Sequence, residues 1–203
     1  MAELLVPTRL RLDVDQAKRF LDTLVGSASN DEEFTFQTLD DDQTRKDPSL
    51  INLIRGPLED VAERLEGLNQ RGAGVYVTVN KIKPGRRVAT NVTGIRALFI
   101  DLDGGPLEPV RDWALPPHIV VESSPGKFHV YWRADGSVRL EDFATLQRKL
   151  ATVFNSDPSV SDLPRILRLP GAWHQKVRRD GTRSEPFMTR IIHSDVGSSG
   201  LSQ

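Results

Sequence analysis

Two aspartates one residue apart, Asp101 and Asp103, close the apolar run RALFIDLD just ahead of Gly104 and Gly105. In a strand, alternate side chains leave by the same face, so both carboxyl groups would project side by side. Carboxylates so placed repel, and a hard cation such as Mg²⁺ or Mn²⁺ removes that penalty by taking their oxygens as ligands. A strand that simply ends, with both acids in water, fits the same residues. The chain has no cysteine, which removes disulfides, thiolate zinc sites and cysteine nucleophiles and leaves oxygen or imidazole as metal ligands.

A second block, SSPGKFHVYW, places Ser123, Ser124 and Gly126 ahead of Lys127 and His129. Small side chains and free backbone N–H groups are what a phosphate cradle needs. On a strand, Lys127, His129 and Tyr131 share one polar face, and Phe128, Val130 and Trp132 form an apolar face directed at the core. An ordinary hairpin turn with a surface histidine suits this block equally. The third block, DPSVSDLPRILRLPGAWHQK, begins at Asp157. Ser161 or Asp162 is placed to cap a short helical turn with Pro164 in its first positions. That turn would put Arg165 and Arg168 on one face, where two guanidinium groups can fork onto one polyphosphate, and Ile166 and Leu169 on the other. The plainer account is a surface segment in which Asp157 and Asp162 neutralise the arginines. His174 and Lys176 follow.

The elements that must hold these blocks are short and mixed. Ala17, Phe20, Leu21, Leu24 and Val25 have helical spacing over Val14–Val25, behind caps at Asp13 or Asp15; Leu58, Val61, Leu65 and Leu68 repeat the pattern up to Gly72. EEFTFQTLD alternates as a strand and Asp40–Pro48 reads as an exposed loop. From Gly74 the chain predicts strands at GVYVTVN, RALFIDLD, HIVVES and KFHVYWR, the last two joined by a Ser124-Pro125-Gly126 hairpin. A helix follows, with a stripe of Leu140, Phe143, Leu146, Leu150 and Phe154, and FMTRIIHSD closes as a strand. Helices interrupted by tightly joined strands predict an α+β fold.

With 203 residues, 38 % hydrophobic and 27 % charged, the chain suits one domain or a compact two-lobed unit. The net charge of −1 shows no global basic excess, but Arg165, Arg168, Lys176, Arg178, Arg179 and Arg183 stand against Asp180 alone, leaving room for a local phosphate-binding face. No apolar run approaches the roughly 20 residues that span a bilayer, and the N-terminus lacks a secretory core. A soluble, cytoplasmic protein is expected.

In this order, the three blocks resemble the catalytic module of the archaeo-eukaryotic primase superfamily, especially the plasmid- and phage-borne primase-polymerases with a RepB-type primase domain. That family presents an acidic pair on one strand, a small-residue-x-histidine stretch on a following strand, and a third acid upstream of a basic segment. The resemblance covers roughly Phe34 to Lys176 and includes GAGVYVTVN and NVTGIRALF. It implies an α+β core of mixed or antiparallel sheets, an RRM-like unit plus an N-terminal αβ unit, flanked by helices. The catalytic domain would span 1–194, with a lobe to about 95, a metal and nucleotide lobe beyond it, and a flexible tail over 195–203.

The resemblance further implies template-directed nucleotidyl transfer with two Mg²⁺ or Mn²⁺ ions. Asp101, Asp103 and Asp157 match the family's metal-binding acids, with Asp162 left as the helix cap. Ser124, Lys127, His129, Arg165, Arg168 and His174 match nucleotide and phosphate contacts, and Lys176, Arg178 and Arg179 match DNA contacts. Asn80 and Asn91 fall where loops approach the site. Partners would be a DNA template and primer, nucleoside triphosphates, and a helicase or helical accessory domain, in a bacterium or phage-infected cell. Two rivals remain. A haloacid-dehalogenase-like phosphatase also opens on D-x-D-G, although its downstream G-D-x-x-x-D site is missing after Gly104. A replication-initiator domain could keep the fold and bind DNA through Arg165–Arg183 without catalysis. Neither a zinc-ligand cluster nor a Walker-type loop is visible.

Overall fold

The structure, a computed structural model, describes residues 10–27 and 31–195, so the expected tail lies outside the described residues except for Asp195. Helix α1 (Val14–Val25) starts at Asp13, whose carboxylate accepts the Gln16 backbone N–H, and stops at Gly26 with φ of 81°. Strands β1 (Phe34–Asp40) and β2 (Asn52–Gly56) precede α2 (Leu58–Gln70) and β3 (Ala73–Thr78). A small hairpin of β4 (Lys81–Ile82) and β5 (Val92–Gly94) leads to β6 (Ala97–Asp103) and the one-turn helix α3 (Glu108–Arg111). Then come β7 (Ile119–Ser124), β8 (Lys127–Arg133), α4 (Leu140–Val153), β9 (Ile166–Arg168), β10 (Trp173–His174), β11 (Phe187–Met188) and β12 (Arg190–Ser194). Among the described residues no helix is long and apolar enough to cross a membrane.

Two four-stranded sheets, ordered β2-β1-β3-β9 and β12-β7-β8-β6, carry the fold, with antiparallel pairing throughout. This is the α+β architecture that the sequence predicts. The period of two sorts the second sheet between two cores. Phe99, Val121 and Tyr131 join Phe20, Phe36 and Phe143 in the larger one, whereas Ile100, Leu102, Val130 and Trp132 join Leu150 and Phe154 in the smaller. The Lys127/His129/Tyr131 face is therefore not simply a polar face. Tyr131 is fully buried, and this face opens to solvent only at the two ends of β8, Lys127 and Arg133.

Helix α4 departs from its expected stripe in an informative way. Leu140 is exposed, and the position taken into the interior beside Phe143, Leu150 and Ala151 is Gln147. Its side-chain amide accepts the Phe99 N–H and donates to the Phe99 carbonyl, both at 3.0 Å, and also donates to the Val160 carbonyl at 3.2 Å. Strand β6 is the sheet's edge, and Gln147 satisfies backbone groups that would otherwise be buried without partners.

Two other expectations are corrected. The helical turn after Asp162 is a single turn, closed by Arg165 N–H to the Asp162 carbonyl at 3.2 Å, and the chain then extends as β9. Pairing with the open edge of β3 is the reason: Tyr76 faces Arg168 and Thr78 faces Ile166 in register, and a longer helix would leave that edge unpaired. The Asp40–Pro48 stretch is not wholly exposed either, because Asp41 is buried and Asp42 bridges to Val177. Gly171, at φ of 87°, lies so close to α1 that an added Cβ would strike the Asp13 carbonyl oxygen, and its own carbonyl accepts the Asp13 N–H at 2.9 Å.

Candidate active site

A cavity of about 570 Å³ opens where the ends of β6, β7 and β8 meet β9 and the segment from His174 to Phe187. Register aligns its acidic wall: Asp101 stands opposite His129, and Asp103 opposite Lys127. Paired antiparallel residues send their side chains to one face, so these four form a compact patch. The His129 Nε2 lies 3.9 Å from Asp101 Oδ1, and Lys127 is ion-paired with Asp103. Burial, then the negative charges of Asp103 and Asp157, push the Asp101 carboxyl up to about 6, against the opposing pull of Lys127 and Arg165.

Asp157 thus stands close enough for its charge to act on Asp101, yet it does not line the cavity. Its carboxylate accepts the Ser159 backbone N–H and hydroxyl, both at 2.8 Å, and these bonds hold it below the usual carboxylate value. Asp162 is engaged differently, ion-paired with Arg165. Among the described residues, no three His, Asp or Glu side chains stand close enough to close a metal shell by themselves.

The opposite wall is basic and largely satisfied from within. Arg168 reaches both carboxylate oxygens of Asp41, at 3.1 and 2.8 Å, and stacks over the Tyr76 ring at 4.7 Å. The side chains are only 12 % and 4 % exposed. Asp41 also accepts the Gln175 backbone N–H at 2.9 Å, and the Tyr76 hydroxyl lies 3.5 Å away. Gly74 leaves the room for this pair: a Cβ there would collide with Asp41 Oδ1 and Arg168 Nη1. Asp41 and Tyr76 were not foreseen as site residues. Asp41 is 127 residues from Arg168 and sits in an acidic run that reads as loop, so no local pattern points to it.

Two histidines complete the cavity. Burial, then the positive charges of Arg168 and His174, lower His129 to about 3. Burial, then Arg168, lower His174 to about 4. Both are neutral near pH 7. The His174 Nδ1 lies 3.3 Å from the Ser123 carbonyl, which can only accept, so that nitrogen carries the proton of the bond. The His129 Nδ1 and His174 Nε2 are buried with no hydrogen-bond partner among the described residues, and both side chains line the cavity.

Of the residues expected at the site, Asp101, Asp103, Ser124, Lys127, His129, Arg165, Arg168, His174, Lys176 and Arg178 line the one cavity. Arg165 and Arg168 reach it from either end of β9 rather than from one helical face. Arg179 is exposed and outside it. Asn80 is buried as a structural tie, donating to the Leu163 carbonyl at 3.0 Å and accepting the Arg96 N–H at 3.1 Å. Asn91 bonds the Arg86 carbonyl at 2.7 Å, away from the cavity.

Residues 63–196 match a family model described as the RepB DNA-primase N-terminal domain. Among solved structures, the fold is similar to the AEP domain of the cyanophage S-2L primase-polymerase, with a TM-score of 0.64 at 20 % identity over 90 % of this chain and 91 % of that one. It is also similar to primase RepB′, with a TM-score of 0.63 at 18 % identity, over 91 % of this chain and 57 % of that one. The catalytic domain of RepB′ in complex with initiator DNA gives 0.60 at 18 %, over 94 % and 87 %. No curated protein matches the sequence.

Proposed function

The chain belongs to the family of RepB DNA-primase N-terminal domains, and from that premise we propose that it performs template-directed nucleotidyl transfer as a primase-polymerase of plasmid or phage replication. The observation that carries this reading is the single cavity in which Asp101 and Asp103 face a wall of His129, His174, Arg165 and Arg168. A phosphatase needs no such polyanion wall, and family membership replaces that rival.

The acidic wall fits Mg²⁺ or Mn²⁺. Asp101 is raised by burial and by the like charges of Asp103 and Asp157, and oxygen donors suit hard cations. Asp101 and Asp103 would hold the ions, with Asp157 reaching in from the rim. The lack of a three-ligand protein shell suits a metal that keeps waters and takes substrate phosphate as ligand. Bound ions of this kind acidify an attacking 3′-hydroxyl and stabilise a pyrophosphate leaving group.

The chain's own residues bind and orient the triphosphate. Arg165 and Lys127 offer charge at the cavity mouth, and Arg168, held rigid by Asp41, fixes the field of the inner wall. His174, its Nδ1–H committed to Ser123, keeps Nε2 for the ligand, and the negative charge of an arriving triphosphate favours its protonation there. Lys176, Arg178 and Arg179 extend the positive surface outward, where a template or primer backbone would run. That the related RepB′ catalytic domain is seen with initiator DNA supports a nucleic-acid partner.

Incorporation of labelled nucleotide on a primed template, with Mg²⁺ and Mn²⁺ compared, tests the proposal. Wild-type protein should extend the primer and Asp101→Ala should not. Extension by Asp101→Ala at the wild-type rate would sink the metal assignment. Salt-sensitive DNA binding without incorporation by the wild type under either metal would favour a non-catalytic initiator domain.

A further inference from the structure

Each cation in the cavity has a different commitment. Arg168 is locked on buried Asp41. Arg165 is tied to Asp162 and donates to the Ser159 carbonyl at 2.8 Å. Lys127 is paired instead with Asp103, one of the two carboxylates assigned to metal, from the directly opposed position on β8. Its charge also eases Asp101 more than that of Arg165 does. The side chains are 44 % and 66 % exposed, so water competes for the pair and it exchanges readily. Lysine's flexible stem and compact ammonium suit a group that changes partners, whereas a guanidinium locked in a bidentate fork does not.

Resting on the nucleotidyl-transfer reading, we propose that Lys127 is the resident counter-cation of the acidic pair, holding Asp103 until a divalent ion displaces it and then turning to the triphosphate. The charges favour such an exchange. Asp101 and Asp103 bring −2, and Lys127 offsets half of it. A dication ligated by Asp103 competes with the ammonium for the oxygens of that carboxylate and weakens the lysine's hold on it. The released ammonium stays within reach of Ser124, its neighbour across the β7/β8 turn, at the mouth where the triphosphate enters. Metal and nucleotide binding are thereby coupled through one side chain.

The test measures the reactivity of individual lysines to a limiting acylating reagent, read by mass spectrometry on the nucleotide-free chain with and without Mg²⁺. Lys81, paired with Glu32 in a separate cavity, is the internal reference. Mg²⁺ should raise Lys127 reactivity several-fold and leave Lys81 unchanged, and Asp103→Asn should show the raised value without metal. Lys127→Met should bind Mn²⁺ alone several-fold more tightly and a non-hydrolysable nucleoside triphosphate several-fold more weakly. Mn²⁺ binding with Lys127 reactivity unchanged overturns the exchange and leaves the nucleotidyl-transfer reading standing. No Mn²⁺ or Mg²⁺ binding to the nucleotide-free chain overturns the exchange, and none even with the nucleoside triphosphate present overturns both.

Discussion

On the β6/β8 side of the cavity the charges are unbalanced: Asp101 is pushed up to about 6 by burial and by its acidic neighbours, and Asp103 has only an exposed lysine beside it. On the β9 side they are already settled, because Arg168 and Asp41 are buried together and both histidines are held neutral. On the proposed reading the acidic wall receives a cation, and the crowded, part-buried Asp101 carboxylate costs the fold stability when ionised. The basic wall belongs to the packing that joins β1, β3, β9 and β10. Substitutions should therefore separate function from stability on one wall and destroy both together on the other.

The largest expected effect falls on the acidic wall. Asp101→Asn should lower primer extension about a thousandfold or more, since it removes charge from the centre of transition-state stabilisation. Its thermal stability should nevertheless rise above pH 6. A carboxyl raised in the folded state loses stability as pH climbs from its unfolded value, near 4, through 6, and the amide escapes that loss. Melting curves at pH 4.5 and 7.5, with the variant gaining clearly more at the higher pH, check it.

On the basic wall, Asp41→Asn should cost about 3–5 kcal/mol of stability, because it strands a buried guanidinium, and activity should fall with it. Denaturant titration gives the first number, and a variant as stable as wild type would break the contrast between the walls. Gly74→Ala should act in the same direction but less, by about 1–3 kcal/mol, since a methyl group there overpacks the Asp41–Arg168 pair. The smallest effect is in acid. Histidines lowered by burial contribute stability that is complete above their unfolded value near 6.5 and is lost as pH falls toward 4. His174→Gln should flatten that part of the stability profile, and an unchanged slope would remove His174 from the account.

The same contrast explains what was readable in the sequence. The acidic wall rests on two long strands whose alternation is local, so Asp101 with Asp103, and Lys127 with His129, each follow as one face of their strand from spacing alone, and only the β6/β8 register brings the two faces together. The basic wall depends on pairings that are distant in the chain. Strand β9 is three residues long and lies between Pro164 and Pro170, so Asp162-Leu163-Pro164 read as a helix start; only the open edge of β3 makes it a strand. Asp41 read as a solvated loop acid because its partner lies far away in sequence. Gln147 shows the same limit inside a helix, where a polar residue is buried for a backbone edge that spacing cannot reveal. Asn80 was expected to approach the site and instead bonds two backbone groups, a role typical of buried amides.

The central claim is that both walls serve one ligand. It is tested most directly by anomalous diffraction from crystals grown with Mn²⁺ and a non-hydrolysable nucleoside triphosphate. The account predicts Mn²⁺ peaks at Asp101 and Asp103, with Asp157 drawn toward them, and the triphosphate against His129, His174 and Arg165. Manganese at the acidic pair with the triphosphate bound elsewhere, or a triphosphate in the cavity with no metal at Asp101, would contradict it.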